Sequence, residues 1–457
     1  MSTELIPEQL AGLLGAVPDW SVDPAERERV RTDRSGLIPD GLPDAVVRAT
    51  SVDDVVSTLT HASRAGIPVV TRGAGTGLSG GAAAGPGEIV LDVSGMNRIL
   101  EIDPDNATAR VEPGVITAEL DAAAAEFGLR YAPDPASAAI STIGGNIATN
   151  AGGLRCVKYG VTRDAVLALD VVLGDGRRLV TGRTTAKGVT GYDLTSLLVG
   201  SEGTLGVVVG ATVRLSSQAV ETRTATAVFD TVADASNAVG AVLRAGIRPS
   251  TLELLDHATL VAIDDAQGTA LSAAGGAFLL VQTDGFGADR EMAETQRILR
   301  LAGARVEEAA DVADAERLLQ VRRLALPSIE RLGRVLIEDI AVPRTRLSDA
   351  VTGIDDISRR TGVTIFTFAH AGDGNLHPIV LVDAGPSDPI PTHVQDAVNE
   401  VFGLALRLGG TLTGEHGVGV LKRPWLADEL GDTGLDVQRS LKTVFDPAGI
   451  LNPGKAL

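Results

Sequence analysis

The segment Arg72-Gly-Ala-Gly-Thr-Gly-Leu-Ser-Gly-Gly81 decides the fold class, because it places dense glycine directly after an apolar run. Ile67–Thr71 predicts the strand that enters this loop, and Glu88–Asp92 predicts the strand that follows it. Gly75–Gly80 matches the GxGxxG string, but a dinucleotide-binding fold needs that string to open a crossover helix. The intervening residues leave no room for a helix of roughly ten residues. We therefore expect a phosphate-binding loop of another architecture, with a long surface loop as the alternative.

Two further glycine-rich segments follow this loop, Ser141–Gly153 and Val199–Val207. Glycine lets the backbone approach a ligand closely, and turned-in N–H groups can cradle phosphate oxygens. Ser141–Gly153 has few charges, which suits a flat polar ring whose edge would bond to the backbone, Asn146 and Asn150. One phosphate loop with two glycine-rich walls indicates a long ligand rather than a mononucleotide.

Local signals predict several elements of the first half of the chain. Val52–Ala65 has helical spacing, and Ser51 is placed to cap the N-terminus of that helix. Asp170–Leu173 and Arg178–Val180 flank Gly174-Asp-Gly176, which predicts a hairpin.

The pattern changes after the third glycine segment. Strand-like runs there alternate with long amphipathic helices, of which Val232–Ala245 and Asp314–Leu332 are examples. This alternation predicts an α+β block, and the change of pattern places a domain boundary near residues 216–221.

Composition excludes some classes of protein. The 457 residues predict two or three domains. A net charge of −19 argues against nucleic-acid binding, which needs a basic surface, and against docking by charge to an anionic membrane. No uncharged apolar run reaches membrane-spanning length and the N-terminus shows no secretory pattern, so we expect a cytoplasmic protein that is not integral to a membrane. The single Cys156 cannot form an internal disulfide.

The second chemical signal is the segment His370-Ala-Gly-Asp-Gly-Asn-Leu-His377. A two-residue type I′ turn centred on Asp373-Gly374 would set His370 opposite His377, where two imidazoles can bind one metal. Glu415 and His416, between two glycines, offer a third ligand. The alternative is that the pair caps a hairpin or forms core hydrogen bonds. The other histidines are expected to have no catalytic role: His61, His257 and His393.

The three glycine segments, in this order, resemble the FAD-binding domain of the vanillyl-alcohol oxidase / p-cresol methylhydroxylase (PCMH) superfamily. From about residue 40 onward the chain resembles the branch that contains D-lactate dehydrogenases, glycolate oxidase flavoprotein subunits and D-2-hydroxyglutarate dehydrogenases. The resemblance implies an α+β fold, with a two-part PCMH-type FAD-binding domain and an α+β cap domain of antiparallel sheet and flanking helices. The implied divisions are an FAD-binding domain at 1–216, a cap domain with the metal site at 217–440 and a tail returning to the FAD domain at 441–457.

The resemblance implies FAD as cofactor. It assigns the pyrophosphate loop to Arg72, Gly73, Gly75, Thr76, Gly77 and Ser79. It assigns the flavin-lining segment to Pro133, Ser137, Gly144, Gly145, Asn146, Thr149 and Gly152. The remaining implied contacts are Glu202, Val207 and Asn452. Some members bind flavin covalently through a histidine in the first loop, and no histidine lies there, so non-covalent FAD is implied.

The resemblance also implies a metal-assisted oxidation of a D-2-hydroxy acid to the 2-keto acid. Its metal ligands would be His370, His377 and Glu415, binding Zn²⁺ with Mn²⁺ or Fe²⁺ as alternatives. His416 would be the general base that accepts the hydroxyl proton, and hydride would pass to flavin N5. Arg322, with Arg323 as the fallback, would bind the substrate carboxylate.

One departure from the family pattern bears on the substrate. Members that act on 2-hydroxyglutarate have a lysine in the strand before an Asp-x-x-x-Pro pattern, and Ile337 stands at the corresponding position here. The neighbouring Glu338 and Asp339 would repel a second substrate carboxylate. We therefore expect D-lactate or glycolate, with 2-hydroxyglutarate as the alternative.

Other classes stay open at this level. The chain could be the flavin-binding subunit of a glycolate oxidase-like complex, a metal-dependent hydrolase built on His370, His377 and Glu415, or an NAD-dependent Rossmann enzyme, which the absent crossover helix disfavours. The expected partners are a small-molecule 2-hydroxy acid and an electron acceptor, whether quinone, electron-transfer flavoprotein, cytochrome or oxygen. A homodimer is considered, and no sequence feature decides it.

Overall fold

A computed structural model describes residues 8–185, 187–385 and 388–457. Its strands are β1 (Trp20–Ser21), β2 (Ala45–Arg48), β3 (Val69–Arg72), β4 (Ile89–Asp92), β5 (Ile99–Asp103), β6 (Thr108–Val111), β7 (Leu129–Arg130), β8 (Val166–Val172), β9 (Arg178–Gly182), β10 (Val207–Arg214), β11 (Ser216–Ser217), β12 (Thr222–Phe229), β13 (Thr251–Asp256), β14 (Ala277–Asp284), β15 (Arg305–Glu308), β16 (Arg334–Ile337), β17 (Ile340–Ala341), β18 (Ile365–His370) and β19 (Asn375–Val382).

The helices are α1 (Glu8–Leu14), α2 (Pro24–Val30), α3 (Val52–Ala65), α4 (Thr117–Ala125), α5 (Ile143–Thr149), α6 (Cys156–Tyr159), α7 (Thr162–Ala165), α8 (Leu194–Leu198), α9 (Val232–Arg244), α10 (His257–Gln267), α11 (Leu271–Ala274), α12 (Ala288–Leu301), α13 (Val312–Arg323), α14 (Ala325–Glu330), α15 (Leu347–Thr361), α16 (Thr392–Arg407) and α17 (Leu426–Phe445). Single 3₁₀ turns lie at Arg344–Arg346 and Arg423–Trp425. Within the described residues, no helix combines the length and the apolar character needed to cross a bilayer.

The chain divides into two compact units. Unit 1 comprises the described residues up to Gly152, then Gly160–Gln218 and Glu415–Leu457. Unit 2 comprises Gly153–Tyr159 and Ala219–Gly414. This division by packing does not assign a function to either unit, so the domain roles stay predictions.

Unit 1 contains a mixed sheet in the order β1-β2-β4-β3, in which β3 and β4 run parallel. Residues 73–88 connect these two strands without a helix, which confirms that the glycine loop is not part of a Rossmann crossover. Helix α3 has the predicted bounds, and Ser51 and Asp54 form a capping box at its start. Its apolar face, including Val55 and Leu59, is buried in the core of this sheet.

A second sheet of unit 1 is antiparallel, in the order β5-β6-β10-β8-β9. The predicted hairpin is present, since β8 and β9 pair around Gly174–Gly176. Strand β10 alternates buried and half-buried residues, so one face packs on the core. Helix α5 contributes Ile143 and Ile147 to that core.

Unit 2 is built on an antiparallel sheet, β15-β12-β14-β13-β18-β19-β16, with β17 also paired to β19. Leu318 of α13 and Ile329 of α14 pack with Phe368 in one hydrophobic core. The single helix expected over Asp314–Leu332 is two helices that meet at Leu324. Pro327 supplies the physical reason, because proline has no N–H to donate and fits only the first turn of a helix.

Candidate active site

The buried side chain of Arg72 forms hydrogen bonds that hold the glycine loop of unit 1. Its Nη1 donates to the carbonyl oxygen of Ala82 (3.3 Å), just past the end of the loop, and to that of Thr32 (2.9 Å), in an earlier segment of the chain. Burial lowers the pKa of Arg72, while the carboxylates of Asp33 and Asp92 oppose the shift. A Cβ at Gly75 would overlap this guanidinium, and the φ of Gly75 is 70°, so the position requires glycine.

Ser79 connects the loop to the segment that contains His416. Its hydroxyl donates to the carbonyl oxygens of His416 (3.1 Å) and Gly417 (2.8 Å), and its own carbonyl accepts the N–H of Val420 at 2.8 Å. The hydroxyl proposed for the pyrophosphate is therefore engaged within the chain. A hydroxyl has a single proton, so Ser79 Oγ cannot donate to a pyrophosphate while it makes these bonds.

Glu202 and Asn452 hold the same region together. The carboxylate oxygens of Glu202 accept the N–H groups of Val418 and Gly419, each at 2.8 Å. Burial raises the pKa of Glu202, and these two hydrogen bonds oppose the rise. Asn452 donates through Nδ2 to the carbonyls of Gly81 (3.0 Å) and Glu202 (2.7 Å). Two of the residues assigned to FAD contact thus shape the loop by their side chains.

The flavin-lining segment predicted from the sequence forms the short helix α5 and its flanks. Thr142 caps α5, and a Cβ at Gly73 would overlap the Thr142 hydroxyl, so the first two glycine segments meet here. Asn146 is buried and donates to Thr117 Oγ1 at 2.7 Å. One Nδ2 proton of Asn146 is therefore used inside the unit. Gly152 lies against Glu415, because a Cβ there would overlap Glu415 Oε2.

The remaining residues assigned to FAD lie in the same unit. Asn150 accepts the N–H of Arg163 through Oδ1 at 2.9 Å. Those that keep partial exposure are Thr76, Gly77, Ser137, Gly144, Gly145 and Thr149. Those that are buried are Pro133 and Val207. Partly exposed small residues beside the glycine loop leave backbone groups accessible, which fits an extended ligand.

The histidine pair of unit 2 comes together in a different register from the predicted one. His370 pairs with Asn375, and His377 pairs with Phe368. The two-residue turn is wrong because only Gly374, and not Asp373, has a positive φ, whereas type I′ needs both. The loop is instead closed by the N–H of Gly374 donating to the carbonyl of His370 at 3.1 Å. The two imidazoles are diagonal neighbours on one face, with centroids 5.0 Å apart.

Glu253 is a site residue that the sequence analysis missed. It faces His370 across the β13–β18 pair, and its Oε1 lies 2.7 Å from His370 Nδ1. Its Oε2 accepts from Arg322 Nε at 2.8 Å. Burial alone would raise the pKa of Glu253, but the adjacent His370 and Arg322 lower it overall. A charged residue in the apolar run Thr251–Leu255 was the available signal.

Arg322 therefore has a partner within the unit as well as a place in the site. Its guanidinium carbon lies 4.3 Å from the Phe368 ring centroid, a cation–π contact. Arg323, the fallback, is exposed and pairs with Glu316, which directs it away from this cluster. Arg322 is the arginine that the structure brings to the histidines.

A second buried carboxylate, Asp339, anchors the chain just before Glu415. It accepts from Asn375 Nδ2 (2.5 Å), Thr413 Oγ1 (2.6 Å) and the N–H of Gly414 (2.8 Å). It lies 3.9 Å from His377 Nδ1. Asp339 thus fixes the end of the 411–414 segment beside the histidine pair. The three other histidines have unrelated neighbours: Ser57 for His61, Gly275 for His257 and Asp383 for His393.

Comparison with protein families assigns the chain to a class. Residues 43–182 match the FAD binding domain, and residues 219–456 match the C-terminal domain of FAD linked oxidases. The second match alone covers more than half of the chain, so the chain belongs to the FAD-linked oxidase family. It is an FAD-dependent oxidoreductase, as the resemblance of the glycine segments implied.

Among characterised relatives, the chain is 44% identical to a glycolate oxidase subunit, GlcD, of Bacillus subtilis, over 91% of this chain and 89% of that protein. It is 38% identical to a D-lactate dehydrogenase of Archaeoglobus fulgidus, over 90% of this chain and 91% of that one. It is also 36% identical to the GlcD subunit of Escherichia coli, over 99% and 94% of the two chains.

Solved structures confirm the predicted fold class. The chain superposes on p-cresol methylhydroxylase with a TM-score of 0.80, covering 98% of this chain and 96% of that one at 17% identity. It superposes on a 4-ethylphenol oxidase of Gulosibacter chungangensis with a TM-score of 0.78, covering 98% of this chain and 97% of that one at 19% identity. At these identities the likeness concerns the fold alone, a PCMH-type FAD domain with an α+β cap domain.

Proposed function

We propose that this enzyme oxidises a D-2-hydroxy acid to the 2-keto acid, with D-lactate or glycolate as substrate. The observation that carries the proposal is the cluster in unit 2, where two imidazoles lie 5.0 Å apart on one sheet face and the Arg322 guanidinium packs over Phe368 of the same sheet. A 2-hydroxy acid can chelate a metal through its hydroxyl and its carboxylate, and an arginine suits that carboxylate. The relatives named glycolate oxidase subunit and D-lactate dehydrogenase support this substrate class.

We propose that His370 and His377 are metal ligands, and the donor chemistry fits. Glu253 accepts from His370 Nδ1, which leaves Nε2 with a lone pair for a metal. The proposed third ligand, Glu415, directly follows Gly414, whose N–H is bonded to Asp339. A His₂Glu set with an open position is typical of a catalytic zinc site and also suits Mn²⁺ or Fe²⁺. When bound, such an ion lowers the pKa of a coordinated hydroxyl.

The roles of the other residues follow from this assignment. Arg322 would bind the substrate carboxylate with its terminal amino groups, because its Nε is already used by Glu253. His416 would accept the hydroxyl proton, since imidazole titrates near working pH. Its backbone is held by the Ser79 hydroxyl, which limits where its ring can reach. When bound, FAD supplies the acceptor for the C2 hydride.

The position of Ile337 supports a monocarboxylate. Ile337 pairs with Ile379 across β16 and β19, and Ile379 shares its sheet face with His377 two residues earlier. An apolar residue therefore stands near the histidine pair, where the 2-hydroxyglutarate branch has lysine. Ile337 itself offers no positive charge to a distal carboxylate.

A second candidate is that the chain acts as the flavin-binding subunit of a larger assembly. The observation that favours it is the 44% identity to a protein named as a glycolate oxidase subunit. In that case the flavin would still be reduced by substrate, but transfer of electrons to the acceptor would need partner chains. The candidate acceptors remain a quinone, an electron-transfer flavoprotein, a cytochrome and oxygen.

The proposal is tested by the visible spectrum of the purified holoenzyme under anaerobic conditions. We expect the flavin band to bleach on addition of D-lactate or glycolate, and not with L-lactate. Bleaching only by D-2-hydroxyglutarate would reject the monocarboxylate choice, and no bleaching by any 2-hydroxy acid would reject the activity. Turnover of the isolated chain with a quinone, an electron-transfer flavoprotein, a cytochrome or oxygen as acceptor would reject the need for partner chains in electron output.

A further inference from the structure

Glu253 occupies an unusual place for a charged side chain. It lies in β13 between Leu252 and Leu254, with only 1% of its surface exposed. A buried carboxylate is costly unless each oxygen is bonded to a charged or polar partner. Here both oxygens have such partners, and the partners come from two different elements, β18 and α13.

The geometry of the two bonds defines what each partner can do. A carboxylate only accepts, so His370 must donate from Nδ1, and in the neutral imidazole the lone pair that can bind a metal is then on Nε2. Arg322 donates through Nε, and its terminal amino groups make no hydrogen bond within the described residues. The Phe368 ring beneath the guanidinium restrains its plane. One carboxylate thus orients an imidazole and a guanidinium at the same time.

We propose that Glu253 is the positioning residue of this site, which sets the direction of the His370 ligand atom and the reach of the Arg322 amino groups together. The inference rests on the proposed function, because it needs His370 to bind a metal and Arg322 to bind a carboxylate. Glu253 itself would touch neither substrate nor flavin. Because Glu253 holds the His370 imidazole and the Arg322 guanidinium close together, the site would favour a compact substrate whose carboxylate and hydroxyl lie on adjacent carbons.

The test compares Glu253→Gln with the wild-type holoenzyme. Glutamine has one acceptor oxygen where glutamate has two, so either His370 or Arg322 loses its hydrogen-bond partner. The imidazole also loses the nearby negative charge that strengthens it as a metal ligand. We expect Zn²⁺ to bind about 10- to 100-fold more weakly, measured by competition with a chromophoric chelator. We also expect oxalate, which carries the carboxylate but no hydride, to perturb the flavin spectrum only at about tenfold higher concentration.

Asp256→Asn is the matched control, because Asp256 is an acidic residue three positions along the same strand that bonds to Thr259 and Thr367 instead. It should leave both dissociation constants unchanged. Glu253→Asp keeps the charge but is one methylene shorter, so it should give intermediate values and serves if the glutamine variant does not fold. FAD content and melting temperature separate a general loss of structure from a selective loss of Zn²⁺ and oxalate.

Each outcome decides between the two proposals. Selective weakening in Glu253→Gln supports the positioning role. Wild-type affinities for Zn²⁺ and oxalate in that variant overturn it and leave the proposed function standing. A wild-type enzyme that binds no Zn²⁺, Mn²⁺ or Fe²⁺ overturns the inference together with the metal assignment, while flavin bleaching by D-lactate or glycolate still reports the activity separately.

Discussion

His377 lies directly across the β18–β19 pair from Phe368, and their ring centroids are 5.4 Å apart. The guanidinium carbon of Arg322 lies 4.3 Å from the centroid of the same Phe368 ring. One aromatic side chain therefore packs against both a candidate metal ligand and a candidate carboxylate-binding cation. Because cross-strand partners share a face, this arrangement depends on the strand register and not on the spacing of the histidines.

We expect Phe368→Leu to raise KM for the hydroxy acid several-fold while kcat falls less. Leucine keeps an apolar contact but removes the ring that restrains Arg322, at a cost in stability of about 1 kcal/mol. Steady-state kinetics with an artificial acceptor would measure the changes in KM and kcat separately. Phe366→Leu is the control, because it removes a phenyl ring from the same core two residues earlier in the strand, and it should leave KM unchanged. Equal effects of the two variants would show that the Phe368 ring has no special role.

We expect Gly75→Ala to reduce the FAD content of the purified protein. The new Cβ would displace the Arg72 guanidinium from the carbonyls that it holds together. Gly87→Ala is the control, since Gly87 also has a positive φ, 81°, in the same connection but has open space around it. Both variants carry a similar backbone strain of about 1 kcal/mol. Normal FAD content in Gly75→Ala would mean that the close approach to Arg72 is not needed for binding.

We expect His416→Ala to keep FAD and metal but to slow reduction of the flavin by substrate roughly 10²- to 10⁴-fold, the usual contribution of a general base. Anaerobic stopped-flow absorbance would measure the rate. His61→Ala, in which the lost ring bonded only to the Ser57 carbonyl, is the control in the same unit. Reduction at the wild-type rate would remove His416 from the mechanism.

We expect His370→Ala to lose the bound metal and the activity while the yellow colour stays. The reason is that the two imidazoles of the cluster supply most of the proposed ligand set, whereas the FAD loops belong to unit 1. Elemental analysis beside the visible spectrum would show both effects. His257→Ala, an exposed histidine of unit 2, should retain metal. Full metal occupancy in His370→Ala would dismiss the histidine pair as the binding site, and a chelator should reproduce the loss in the wild type.

We expect Asp256→Asn to gain stability relative to the wild type as the pH rises from 4 to 7. Burial of its carboxyl raises the pKa of Asp256 to about 6 from 3.8. The folded state therefore holds its proton where the unfolded state has released it, and stability falls as the pH rises through this window. The residue as a whole is only half-buried, so about 3 kcal/mol is an upper bound for the effect. The check is the melting temperature of the wild type and of Asp256→Asn at pH 4, 5, 6 and 7. A difference between the two proteins that stays constant with pH would show that the pKa of the Asp256 carboxyl is not raised.

Local sequence signals predicted the elements that depend on neighbours in the chain. Helix α3 has its predicted bounds because Ser51, the apolar spacing and Gly66 act within one or two turns. The helix break at Leu324 could have been predicted from Pro327, which removes a backbone donor. The hairpin register could not, because it depended on whether Asp373 adopts a positive φ, and that is decided by its surroundings.

By itself, the sequence determined the order of strand, glycine loop and strand, the lack of a crossover helix, and the presence of paired histidines near one turn. These features are local, and they were enough to indicate the family. Only the tertiary structure decided that Glu253 joins His370 and Arg322, which are 117 and 69 residues away along the chain. It also decided that Glu202 holds the backbone that follows His416, across a separation of 216 residues. Such contacts arise from strand order and register over long loops, so no periodicity in the chain reports them.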